Sequence, residues 1–94
     1  MITLHKNMDT KQPAQFSSIE SMKKAIIKNP FMYDGLALFE NKDDEDCLVN
    51  LRYIELDGKK FWEVEEFPEY ASSSYTIEQA VEVFAQTLSE LGVY

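Results

Sequence analysis

Apolar residues recur along this chain with two different periods, and the switch between them divides it into elements. Ile2-Thr3-Leu4-His5 alternates apolar and polar side chains, which predicts a short edge strand. Residues 6–15 are polar, contain Pro13, and read as a loop. The period then becomes helical. Ile19, Met22 and Ile26 fall at i, i+3 and i+7, on one face of a helix. Ser17 is placed to cap the free N–H groups of that helix, with Glu20 three residues on completing a capping box. Asn29-Pro30 ends it, because proline disfavours helical geometry in the residue before it.

Strand signals follow. Leu36 to Glu40 predicts a strand after the Asp34-Gly35 turn, and Asn41 to Asp46 a charged loop. Cys47 to Leu56 and Phe61 to Phe67 predict two longer strands around Asp57-Gly58. Asp-Gly between apolar runs favours a two-residue hairpin turn, in which both central residues take positive φ. A two-residue loop fixes the register. Leu56 then faces Lys59, Glu55 faces Lys60, Ile54 faces Phe61, Tyr53 faces Trp62, Arg52 faces Glu63, and Leu51 faces Val64. This pairing places Val49, Leu51, Tyr53, Trp62 and Val64 on one face, the predicted core face. It leaves Asn50, Arg52, Glu63 and Glu65 on a wetter one, with Arg52–Glu63 and Glu55–Lys60 as opposite-charge pairs.

Residues 66–74 read as a loop containing Pro68. A second helix opens at the cap Thr76, with Gln79 closing its capping box. Ile77, Val81, Phe84, Leu88 and Leu91 form its apolar stripe, and Gly92 its C-terminal stop. The expected fold is a single α+β domain over residues 1–94. An antiparallel meander of three to four strands packs against two helices, in the order (β)-α-β-β-β-α.

Composition narrows the function. Ninety-four residues at 45% hydrophobic and 13% aromatic content make one modest core and leave little room for a deep cleft. The formal net charge of −8 disfavours nucleic acid and anionic membranes as partners and favours a basic protein. The charge is uneven. Residues 1–30 hold five lysines against Asp9 and Glu20, whereas residues 31–94 hold four cations against fifteen carboxylates. The single cysteine, Cys47, permits no internal disulfide. No signal peptide or membrane-length apolar run is visible, so a soluble cytoplasmic protein is expected.

Catalytic candidates are sparse. His5 is the only histidine and Cys47 has no histidine near it in sequence, so neither zinc ligation nor a thiol nucleophile is expected. No cofactor is implied, since the glycines at 35, 58 and 92 serve turns and a cap rather than a phosphate loop. Asp43-Asp44-Glu45-Asp46 resembles a calcium loop only in composition, lacking its alternating ligand spacing. Those four residues, with Glu63, Glu65, Glu66 and Glu69, are the candidate charged contacts for a partner, and Tyr70 is a candidate aromatic anchor. For each acidic group, a solvated surface that keeps the chain soluble is the competing explanation.

The order of elements adds a resemblance. The Ser18-Ile19-Glu20-Ser21-Met22 helix start, the Leu36–Glu40 strand, the aromatic hairpin and the closing Tyr75-Thr76-Ile77-Glu78-Gln79-Ala80 helix together resemble the Imm1 group of bacterial immunity proteins. Other immunity families of similar size and charge remain open. The resemblance implies an inhibitor that binds a toxin's catalytic domain, of nuclease or deaminase type, and it carries no catalytic residues with it. The expected function is that of an immunity protein for a basic toxin. The alternative is a phage-encoded inhibitor such as an anti-CRISPR or DNA mimic. A small hydrolase using Glu63 and Glu65 and a structural subunit stand further off. The oligomeric state is open.

Overall fold

The computed structural model describes residues 1–9, 11–39, 47–66 and 75–93. The elements run β1 (Ile2–His5), β2 (Pro13–Phe16), α1 (Ile19–Lys28), β3 (Leu36–Phe39), β4 (Cys47–Leu56), β5 (Lys59–Glu66) and α2 (Ile77–Glu90). Single 3-10 turns follow β1 at Lys6–Met8 and α1 at Pro30–Tyr33. All strand pairs are antiparallel, in one sheet of order β2-β1-β3-β4-β5. The fold is α+β, a sheet packed on helices. It has five strands rather than three or four, because the stretch that reads as a loop contains β2.

β2 depends on its partner. Its register, Ile2↔Phe16 through His5↔Pro13, makes it the sheet edge, where proline's missing N–H costs no ladder bond. β1, expected at the edge, is therefore interior, between β2 and β3.

The β4–β5 hairpin has the register that its turn dictates, from Leu56↔Lys59 to Leu51↔Val64 and on to Val49↔Glu66. Asp57 (φ 53) and Gly58 (φ 77) both have positive φ, as a type I′ turn demands. α2 has its full capping box: Thr76 Oγ1 accepts from the Gln79 N–H at 3.3 Å, and Gln79 Oε1 accepts from the Thr76 N–H at 3.1 Å. α1 is capped one residue later than the sequence suggests. Ser18, not Ser17, holds the extended N-cap conformation and accepts from the Ser21 N–H at 3.1 Å. Glu20 thus lies in the first turn without closing a box, where its charge still suits the helix N-terminus.

Both helices lie on one face of the sheet. Met22 and Ile26 of α1 and Val81, Phe84 and Leu88 of α2 meet Ile2, Leu4, Leu36, Val49, Leu51, Trp62 and Val64 in one cluster. Phe84, Leu4, Leu36 and Leu51 are fully buried. Tyr53 is half-buried, its ring 5.3 Å from Trp62 and 5.0 Å from Phe31 of the second 3-10 turn. Tyr75 pairs with Trp62 through two backbone hydrogen bonds, fixing the start of α2 against the outer edge of β5.

Gly35 joins the two halves of the sheet. Its φ is +76°, and a Cβ there would lie 3.0 Å from Asn7 Cα. The Met8 N–H donates to the Gly35 carbonyl at 2.8 Å, so the Asn7 backbone cannot easily withdraw. Gly35→Ala is expected to cost about 1–3 kcal/mol through strain and crowding. A fall of several degrees or more in the thermal midpoint would register it, and an unchanged midpoint would contradict it.

Candidate functional site

Among the described residues no helix packs on the second face of the sheet, and that face holds the unusual side chains. Alternation in β4 and β5 puts Asn50, Arg52, Glu63 and Glu65 there, as the turn register requires. This face is not uniformly wet. Asn50 is 3% exposed and Glu63 8%, and Ala37 and Phe39 of β3 are buried beside them. The expectation of a wetter face holds for Arg52, whose side chain is 44% exposed, and fails for Asn50 and Glu63. Strand alternation reports which residues share a face; it does not report what covers that face.

A register irregularity brings in Cys47. The β3–β4 pairing shifts between Leu38 and Phe39, so Leu38 faces Val49 but Phe39 faces Cys47. The extra residue on β4 turns Cys47 toward the helix-free face. There the Asn50 amide donates to Cys47 Sγ at 3.3 Å and to Glu65 Oε2 at 3.5 Å. His5 and Asn50 flank Ala37 across the sheet, through the pairs His5↔Ala37 and Ala37↔Asn50. His5 Nδ1 and Asn50 Oδ1 are both buried with no hydrogen-bond partner among the described residues. The His5 ring packs edge-on to Phe39, 5.6 Å between centroids.

The carboxylates divide the available positive charge unequally. Arg52 Nη1 lies 3.3 Å from Glu65 Oε1, a diagonal pair, rather than pairing with Glu63 directly opposite. Burial first, then the hydrogen bond with Glu65 and its charge, together push Glu63 up to about 7, against a lowering by Arg52. Glu65 is held below its ordinary value, first by that same hydrogen bond and then by the Asn50 amide and Arg52. Between the ordinary carboxylate range and about pH 7 the two carboxyls therefore share one proton, which Glu63 holds more tightly than Glu65. Glu55, expected opposite Lys60 as an ion pair, accepts instead from the Tyr53 hydroxyl at 3.0 Å.

The candidate contact residues separate accordingly. Glu66 is exposed at the end of β5, and Glu65 is partly buried and paired with Arg52. Glu63 is 8% exposed and its carboxyl is pushed up to about 7, so it offers a partner far less accessible charge than Glu66. Asp43, Asp44, Glu45, Asp46, Glu69 and Tyr70 lie outside the described residues. The sequence placed Asn50 and Arg52 on the face of the carboxyl pair, and it missed that Cys47 joins Asn50 there. The hairpin register already contained Asn50↔Glu65, but the bulge that adds Cys47 leaves no trace in the residue pattern.

Chemically, the pair can store and release a proton, and Arg52 and Asn50 can fix the charged partner in place. Among the described residues, no group of three or more His, Cys, Asp or Glu side chains is arranged to hold a metal ion. No helix of the described residues is long and apolar enough to cross a membrane. Comparison with protein-family models, with curated proteins and with solved structures found no match for this chain.

Proposed function

We propose that this protein acts by binding a basic partner protein, in the manner of an immunity protein that occludes the catalytic domain of a nuclease- or deaminase-type toxin. The observation that carries this reading is the placement of charge. Of the seven exposed carboxylates among the described residues, Glu20 is on α1 and six, Glu55, Asp57, Glu66, Glu78, Glu82 and Glu90, are on the β4–β5 hairpin and α2. The hairpin also exposes Arg52, Lys59 and Lys60, within a segment that holds fifteen carboxylates against four cations. Such a surface raises the encounter rate with a cationic protein and repels nucleic acid, so it suits a plug for a groove that ordinarily holds phosphates. Asp43, Asp44, Glu45, Asp46, Glu65, Glu66 and Glu69 are the proposed charged contacts, with Tyr70 as the anchor. A phage-encoded inhibitor of a nucleic-acid-binding enzyme would use the same electrostatics, and gene neighbourhood separates the two.

The test is protection. Cells expressing the product of the adjacent gene should survive when this chain is co-expressed. Exchange of Asp43, Asp44, Glu66 and Glu69 for lysine should abolish survival while leaving the fold intact by circular dichroism. Undiminished protection by that variant would refute the assignment.

One observation favours a second reading, an enzyme with acid–base chemistry. Glu63 and Glu65 are a carboxyl pair whose proton affinities are driven apart by burial and by Arg52. Turnover in a broad hydrolase screen, lost in Glu63→Gln, would support it.

A further inference from the structure

The helical layer carries a second surface, away from the carboxyl pair. α1 and α2 border a groove of about 470 Å³. Its α1 wall presents Lys23, Lys24, Ile27 and Lys28, and its α2 wall presents Glu78, Val81 and Glu82. Lys23 is already committed within the chain. It lies 2.8 Å from Glu82 and 3.6 Å from Glu20, and the bond to Glu82 raises its proton affinity. Lys24 and Lys28 are exposed and form no ion pair among the described residues, nor does Glu78.

Apolar area accompanies the charges. Ile27 is 43% exposed in the groove. One turn further along the chain, Phe31 and Met32 are 67% and 56% exposed, a cluster of large apolar side chains of the kind that marks association surfaces. Only the inner edge of Phe31 is engaged, against Tyr53 and Trp62.

An occupant of this groove must supply anions to Lys24 and Lys28, a cation to Glu78, and apolar area to Ile27. This chain carries all three on the same surface. We infer that the α1–α2 groove is the interface of a twofold homodimer, in which Lys24 and Lys28 of each copy oppose Glu78 of the other across an apolar seam at Ile27. The two walls of opposite sign are what a self-complementary interface requires, because a twofold axis brings each wall onto its counterpart. The seam supplies the desolvated centre and the ion pairs the rim that fixes orientation. The dimer is read on the chain alone, without any partner protein, so this assignment and the proposed partner binding can each fail without the other.

Sedimentation of the full chain over about 5–200 μM should show a monomer–dimer equilibrium. Lys24→Glu with Lys28→Glu, and Glu78→Lys, should each raise the dimer Kd at least about tenfold. An equimolar mixture of the two charge-reversal variants should recover a heterodimer close to wild-type affinity, which a merely misfolded variant could not do. Ile27→Asp should leave a monomer. A wild-type chain that stays monomeric throughout that range overturns the inference, as does a dimer indifferent to both charge reversals. Capture of an unrelated helix by a monomeric chain would assign the groove to that occupant and overturn it equally.

Discussion

Raising the pH from about 5 to about 8 is expected to destabilise the folded protein, and Glu63→Gln is expected to remove most of that loss. Folding buries the Glu63 carboxyl on the helix-free face and raises it from the ordinary 4.5 to about 7. The folded chain therefore binds that proton more tightly than the unfolded chain. Stability from Glu63 is fully present below the unfolded value and is withdrawn as the pH climbs from about 4.5 to about 7. Glu65 has the opposite sign. Its proton affinity is lowered on folding, so its contribution exists above the unfolded value and vanishes as the pH falls through its folded one. The sum is a maximum near the bottom of the Glu63 window and a decline on the alkaline side, on the order of 2 kcal/mol. A glutamine at 63 stays neutral at every pH and can still donate to Glu65. That variant should match the wild type near pH 5 and exceed it near pH 8 in urea denaturation. Parallel pH profiles for the two proteins would show that Glu63 is not the buried proton carrier.

Phe84→Ala is expected to cost about 3–5 kcal/mol, the range for deleting a buried aromatic side chain. Phe84 is fully buried at the middle of the α2 stripe, within the cluster that joins both helices to the sheet. For a domain of this length total stability is roughly 5–15 kcal/mol, so this one change approaches the unfolding limit. Phe84→Leu leaves a smaller void and should lose markedly less, giving a folded protein whose midpoint can still be measured. A Phe84→Ala protein with an unaltered urea midpoint would place the core elsewhere.

The elements legible in the sequence were those specified by neighbours in sequence. Asp57-Gly58 dictates a turn, the turn dictates the register, and the register assigns every β4–β5 partner. Thr76 and Gln79 likewise announce α2 from four consecutive residues. β2 was not legible, because only Phe16 of its four residues is buried and its strand geometry comes from pairing with β1. The α1 cap was displaced by one residue because adjacent serines offer the same chemistry, and only backbone conformation selects Ser18.

The site was half legible for the same reason. That Glu63 and Glu65 share a face follows from their spacing. That folding raises the proton affinity of one and lowers that of the other does not follow, because it depends on which carboxylate Arg52 reaches and on how deeply each is buried. The diagonal Arg52–Glu65 contact, 3.3 Å long, decides the first question, and the 8% exposure of Glu63 answers the second.

The association rate of the purified chain with the product of its neighbouring gene, taken by stopped flow at about 0.05 M and about 0.5 M salt, bears hardest on the proposed function. Attraction between an acidic inhibitor and a cationic groove predicts a complex whose formation slows at least about tenfold at the higher salt. It also predicts a similar slowing at low salt when Asp43, Asp44, Glu66 and Glu69 become lysine. No complex, or one that forms at the same rate at both salt concentrations, would contradict it.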